Sequence, residues 1–253
     1  MNSLSNTFSL LHLDAEDDKE QIASLTVAKD KNHATNSDKD KKTGELSGKT
    51  TTLKIDKINE ESFSSSSGNY RMPLVWIDLE MTGLNIEVDR ILEIACVITD
   101  GKLAKSVEGP DLVISQTKES LDNMGQWCRD HHAASGLTER VLQSTITEKD
   151  AETQVIDFVK KHVGSDTPLL AGNSIYVDFL FLKKYMPNLA AIFPHVLVDV
   201  SSIMALCIRW FPKEKKRAPA KEKKHRAMDD IKESIRELKY YKESIFKAPN
   251  KSK

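Results

Sequence analysis

Three cysteines, Cys96, Cys128 and Cys207, are all the chain has in 253 residues, an odd number with no CxxC pair. That argues against a disulfide frame and against a thiolate zinc site. Cys96 and Cys207 stand in apolar stretches, the pattern of buried free thiols in a reducing, intracellular compartment. No apolar run approaches the roughly 18–20 residues of a membrane span, so no membrane partner is expected. The short apolar patch "FSLLHL" has no basic flank before it and an acidic run after it, unlike a secretory signal. Residues 1–70 hold no arginine at all, which counts against an Arg-rich mitochondrial presequence. Cytoplasm and nucleus remain the expected locations, with the mitochondrion left open.

The same first seventy residues also lack any sustained apolar period. Runs such as "KDKNHATNSDKDKK" and "SFSSSSG" cannot bury enough surface to offset ordering entropy. A disordered N-terminal extension is expected over 1–70, with a weak helix over "DDKEQIASLTVAK" as its one local exception. From residue 71 to 247 the apolar pattern is dense enough for a single domain, followed by a short basic tail, 248–253. The formal charge of −1 hides one asymmetry: "KEKKRAPAKEKK", Lys213–Lys224, carries seven basic and two acidic residues. It reads as a solvated loop or as an electrostatic guide for a polyanion or an import signal.

Within the domain, "LVWIDLEM" alternates as a strand does, and "RILEIACVITD" is a second strand-like run. "LAKSVEG" and "DLVISQ" read as further short strands split by Gly109-Pro110. Strands in succession with short links make an antiparallel meander. Helical patterns follow around "ESLDNMGQWCRDHH", over "LTERVLQ", and over "TEKDAETQVIDFVKKHV", which opens with a Thr147-x-x-Asp150 capping box. Then come a strand ("PLLAGN"), a helix ("SIYVDFLFLKKYM"), a strand ("HVLVDV") and a helix ("SIMALCIRWF"). The last helix puts Met228, Ile231, Ile235, Leu238 and Ile245 on one stripe. This order predicts an α/β fold, a mixed β-sheet flanked by helices.

The stretch "WIDLEMTGL" poses a problem for that sheet. Residues two apart share a strand face, so Asp78 and Glu80 point together while Ile77, Leu79 and Met81 face the core. Two like charges that close repel, and burial makes both costly. A divalent cation removes the conflict, although a D-x-E pair alone arises by chance about once in a chain this long. Asp178, beyond the strand in "GNSIYVDFLFL", lies where α/β sheets carry binding residues. Asp230 opens the last helix in "HRAMDDI". His225, five residues earlier, lies about 140° away around a helix, so it belongs on the preceding loop, a candidate base near the carboxylates.

D-x-E in the first strand, an aspartate after G-N-S, and H-x4-D in a late helix together resemble the DEDDh exonucleases of the ribonuclease H-like fold. Within that group "WIDLEMTGL", "VEGP", "HHAASGLTERV", "GNS", "KYMP", "DVSS" and "HRAMDDIKESIRELKYY" are similar to the oligoribonucleases, over essentially all of residues 72–247. The subgroup with a tyrosine base is not supported, because Tyr240 and Tyr241 follow the acidic pair and no Y-x3-D occurs. The resemblance implies two divalent cations, Mg²⁺ or Mn²⁺, on Asp78, Glu80, Asp178 and Asp230, with His225 as general base. It implies 3′-to-5′ hydrolysis of RNA of two to five nucleotides to nucleoside 5′-monophosphates, with short DNA as a further candidate and a homodimer as the expected assembly.

The resemblance also assigns substrate contacts. Leu84 matches an apolar wedge between the terminal bases, Trp127 the aromatic that stacks on a base, and His132 a nearby polar contact. Ser174 and Ser201 match groups that hold the 5′-phosphate end. One departure stands out: many members have His-Tyr-Arg before the "DVS" strand, where this chain has Pro194-His195-Val196. His195 keeps a ring that can stack, but the arginine contact is lost, so length discrimination is expected to be less sharp. Two rivals remain: a broader 3′-to-5′ exonuclease on longer RNA or DNA, and an RNA-binding module on a dead nuclease fold. The complete set of four carboxylates and a histidine disfavours the second.

Overall fold

Strand β1 (Leu74–Met81) alternates so that its two faces meet different partners. The structure, a computed structural model, describes residues 70–221 and 226–246. The expectations for the N-terminal extension, the basic tail and His225 lie outside the described residues. Val75, Ile77 and Leu79 join one buried cluster, while Trp76 joins another on the opposite face. Strands β2 (Ile91–Thr99) and β3 (Ser106–Val113) complete an antiparallel meander with β1, as the short links predicted. The chain then crosses over, and β4 (Leu169–Gly172) and β5 (Leu197–Asp199) add in parallel on the other side. The sheet order is β3-β2-β1-β4-β5, the mixed sheet that was expected.

Two sequence expectations are corrected. Gly109-Pro110 does not split β3; the strand runs through it as a bulge, with Gly109 and Pro110 together facing Cys96 alone between the Ala95–Asp111 and Val97–Glu108 pairs, and a bulge tolerates a proline that has no N–H to donate. Gly109 is needed there: a Cβ would sit 2.3 Å from the Phe158 ring. The stretch "ESLDNMGQWCRDHH" is two helices, α1 (Lys118–Asp122) and α2 (Gln126–Ala134), interrupted before Gly125, the α2 N-cap.

Helix α3 (Leu137–Gln143) packs with α1 and α2 against Leu92 and Val113 in a third cluster. Helix α4 (Glu148–Val163) starts at the expected box: Thr147 Oγ1 accepts from the Asp150 N–H, and Asp150 Oδ2 accepts from the Thr147 N–H. With α5 (Tyr176–Tyr185) and α6 (Pro187–Ala190) it covers the Ile77 face of the sheet. Helices α7 (Val200–Trp210) and α9 (Ala227–Ser244) cover the Trp76 face. Between them α8 (Pro212–Lys216) takes up part of the basic run that read as a loop. All three cysteines are buried free thiols, and burial pushes the Cys128 thiol up to about 11.

Candidate active site

Strands β1, β4 and β5 run parallel, so their carboxyl ends lie along one edge of the sheet, the edge where α/β folds place ligands. Asp78 and Glu80 approach that edge from β1 on the Trp76 face, and Asp230 meets them from the first turn of α9. Carboxylate oxygens of these three residues all lie within 4.8 Å of one another. Asp178, buried in the first turn of α5, is spent differently: its Oδ1 accepts the Leu79 N–H at 2.9 Å. It stands outside the tight set, yet its charge is among the causes that raise Asp78. The structure thus brings three of the four predicted carboxylates together and keeps the fourth at their side.

That arrangement is electrostatically unfavourable without a counter-charge. Burial, then the charges of Asp178, Asp230 and Glu80, hold the Asp78 carboxyl well above the ordinary range. Burial first, with Asp230, Glu93 and Asp178 adding repulsion, brings Glu80 to about 8. Asp178 is raised to about 7 by burial despite the Leu79 hydrogen bond, and Asp230 to about 6 by burial and Glu233. Oxygen-only donors, gathered and short of positive charge, suit a hard divalent cation such as Mg²⁺ or Mn²⁺. Lys221 opposes the trend by lowering Asp78 and Asp230, and pairs with the buried Glu237 at 3.6 Å. Sequence reading passed over Lys221, whose place in the basic run gave no sign of a partner.

Of the expected substrate contacts, His132 stands beside these carboxylates, 3.9 Å from Glu80. Leu84 is half-buried in a loop that Asp89 organises: Asp89 accepts from Thr82 Oγ1 and from the Asn85 N–H, both at 2.8 Å. Trp127 is 38% exposed on α2 and stacks on His131 with centroids 3.9 Å apart. His132, on the inward face of the same helix, is buried, with Nε2 2.9 Å from the Met81 carbonyl. A carbonyl only accepts, so Nε2 carries the hydrogen and Nδ1 is left as an acceptor, 3.9 Å from Glu80 Oε2. Burial lowers the His132 pKa and keeps it neutral.

Ser174 and Ser201 meet at the ends of β4 and β5. The Ser174 N–H donates to Asp199 Oδ1 at 3.0 Å and to Ser201 Oγ at 3.1 Å, and the two hydroxyls are 3.3 Å apart. Ser174 adopts a left-handed φ of 47°, unusual for a residue with a side chain. Exposed His195 lies apart from these serines, on a cavity of about 330 Å³ shared with Phe179, Lys183 and Phe193.

A family of exonucleases, RNase T, matches residues 75–238, the span that holds every described site residue. An oligoribonuclease of Arabidopsis thaliana is 60% identical over 250 residues, 98% of this chain and 99% of the relative. The chain belongs to the oligoribonuclease family of exonucleases. Other relatives in the family are a mitochondrial oligoribonuclease of Homo sapiens, 49% identical over 69% of this chain and 73% of the relative, and one of Legionella pneumophila, 48% identical over 70% and 94%. The plant alignment is long enough to take in most of the first seventy residues. Among solved structures, Escherichia coli exonuclease I with a dA16 oligonucleotide matches with a TM-score of 0.53 at 15% identity over 68% of this chain. This chain spans 41% of that one, and the likeness carries the fold, a ribonuclease H-like sheet with flanking helices.

Proposed function

We propose that this oligoribonuclease-family chain hydrolyses RNA of two to five nucleotides from the 3′ end, releasing nucleoside 5′-monophosphates with two bound Mg²⁺ or Mn²⁺ ions. The observation that carries the reading is the clustering of Asp78, Glu80 and Asp230, within 4.8 Å, beside Asp178. These four side chains would hold the ions. Bound there, divalent cations supply Lewis-acid chemistry, making water a better nucleophile and stabilising charge on the departing 3′ oxygen.

The chain's own residues do the rest. His225 takes the proton of the attacking water, an imidazole's ordinary pKa of about 6.5 suiting that task near neutrality. Leu84 wedges between terminal bases and Trp127 stacks on one of them, which recognises any base because each has a π-face. His132, oriented by the Met81 carbonyl, is a polar contact near the substrate. Ser174 and Ser201 hold the 5′-phosphate end, and His195 adds an aromatic surface. The reading includes a homodimer and an intracellular location: cytoplasm, nucleus or, as for the human relative, the mitochondrion.

Trp127→Ala is expected to weaken binding of a dinucleotide by about 1–3 kcal/mol, the worth of one base–aromatic stack, with little change in kcat. Fluorescence anisotropy with a labelled dinucleotide in Ca²⁺ checks it. The proposed activity is tested by incubating a trinucleotide with Mn²⁺ and separating the products. Nucleoside 5′-monophosphates, lost on chelation, are expected; nucleoside 3′-monophosphates or chelator-resistant hydrolysis would contradict it.

A further inference from the structure

We propose that Glu93 is a positioning residue for Asp230, capping helix α9 from strand β2 and so setting the metal-binding geometry. The inference rests on the metal-binding reading above.

Strand β2 is buried at all nine positions, and Glu93, fully buried, is its one charged residue. A carboxylate there is costly unless paired and hydrogen-bonded. The start of helix α9 supplies most of the partners, beside Arg140 of α3 and the Asp111 carboxyl of β3, which hydrogen-bonds Glu93. Arg226, its N-cap, has no side chain able to accept, and α9 has no side-chain cap of its own. Glu93 takes that place from another element: its Oε2 accepts from the Ala227 N–H at 3.3 Å, and its two oxygens accept from Arg226 Nε at 3.2 Å each. Arg226 Nη2 adds a bond of 2.7 Å to Oε1, and Arg140 of α3 stands 3.6 Å from the same oxygen.

The consequence for the site follows from one turn of helix. The Asp230 N–H donates to the Arg226 carbonyl at 3.0 Å, so the residue that Glu93 grips begins the turn that ends in Asp230. Glu93 in turn lies opposite Glu80 in the β1–β2 ladder, and the ladder bulges between Glu80 and Met81, where Ile91 and not Leu92 becomes the next partner. The bulge sets the neighbouring strand's register at this point. One carboxylate therefore references α9 to the strand that carries Asp78 and Glu80. A loose Arg226 would let Asp230 drift from the other two, and changes to groups that orient metal ligands lower affinity by about 10–100-fold.

Glu93→Gln, Arg226→Gln and Asp230→Asn in the full chain are compared with wild type by calorimetric titration of Mn²⁺. Glu93→Gln and Arg226→Gln are expected to bind Mn²⁺ about 10–100-fold more weakly, and dinucleotide turnover in both is expected to recover at saturating Mn²⁺. The Glu93→Gln/Arg226→Gln double variant should be no weaker than the poorer single one, because the two residues act as one unit. Wild-type Mn²⁺ affinity in a folded Glu93→Gln overturns the proposal. Should Glu93→Gln fail to fold, wild-type affinity in Arg226→Gln, whose side chain is partly exposed, overturns it instead. Unchanged Mn²⁺ binding in Asp230→Asn would strike at the metal-binding reading itself.

Discussion

Asp78→Asn is expected to abolish hydrolysis while raising the melting temperature of the metal-free protein, two effects of opposite sign from one carboxylate. The loss of turnover should be on the order of 10⁴-fold or more, the scale seen when one member of a catalytic unit is removed. The gain in stability comes from relieved repulsion and burial. Glu80, Asp178 and Asp230 have folded pKa values of about 8, 7 and 6, and Asp78 is also raised. A raised folded pKa means that the folded state holds protons the unfolded chain releases near pH 4. The contribution to stability is then full at low pH and is lost as pH rises through the folded values. The metal-free protein should therefore melt lower between about pH 4 and 8 as pH increases. Asp78→Asn should flatten that decline, and Mn²⁺ should remove it in wild type. At pH 8 a relief of about 1 kcal/mol would appear as roughly 2–4 °C in Tm. Differential scanning fluorimetry with and without metal across this range, beside a turnover assay, checks both halves. An unchanged pH slope in the variant would show that the carboxylates do not share one field.

His225→Asn is expected to lower turnover by about 10²–10⁴-fold, the usual contribution of a general base, with Mn²⁺ affinity close to wild type. Asparagine keeps polarity and approximate shape but cannot take a proton. The acidic limb of the rate–pH profile should move or vanish, because with His225 as the proposed base that limb would report its protonation. Separating metal affinity from turnover matters here. A fall in Mn²⁺ binding of the same size would make His225 a structural support of the carboxylates, and an unaltered profile would assign the proton elsewhere.

How much of this was visible in the chain depends on whether the partners are near in sequence. Alternation in "WIDLEM" was enough to put Asp78 and Glu80 on one face, since strand geometry repeats every two residues and needs no distant contact. The Thr147–Asp150 box was likewise local. Glu93 was not legible, because its role is set by Arg226 and Ala227, 133 and 134 residues away, and its flanks read as an ordinary buried strand. Glu233 and Glu237 were missed for another reason: both are buried in α9, where the apolar stripe alone marked the inward face. Tyr241 Oη donates to Glu237 at 2.8 Å, a bond within α9, but the Lys221 partner lies outside it. The break before Gly125 and the continuity of β3 through Gly109-Pro110 were misjudged together. A bulge at Gly109-Pro110 opposite Cys96 and the ring of Phe158 decide the second, and neither Cys96 nor Phe158 stands near that dipeptide in the sequence.

Length preference is the most direct test of the account. Wild-type protein with Mn²⁺ is given a 5′-labelled dinucleotide and a 5′-labelled 20-mer of the same composition at equal concentration, and initial rates are compared. A pocket closed by Leu84 and Trp127 around a 5′-phosphate-bearing pair predicts the fastest cleavage on the dinucleotide and a steep fall with each added nucleotide. His195→Tyr with Val196→Arg should steepen that fall. Equal rates on the dinucleotide and the 20-mer in wild type would contradict the account and point to an open groove with a broader exonuclease activity.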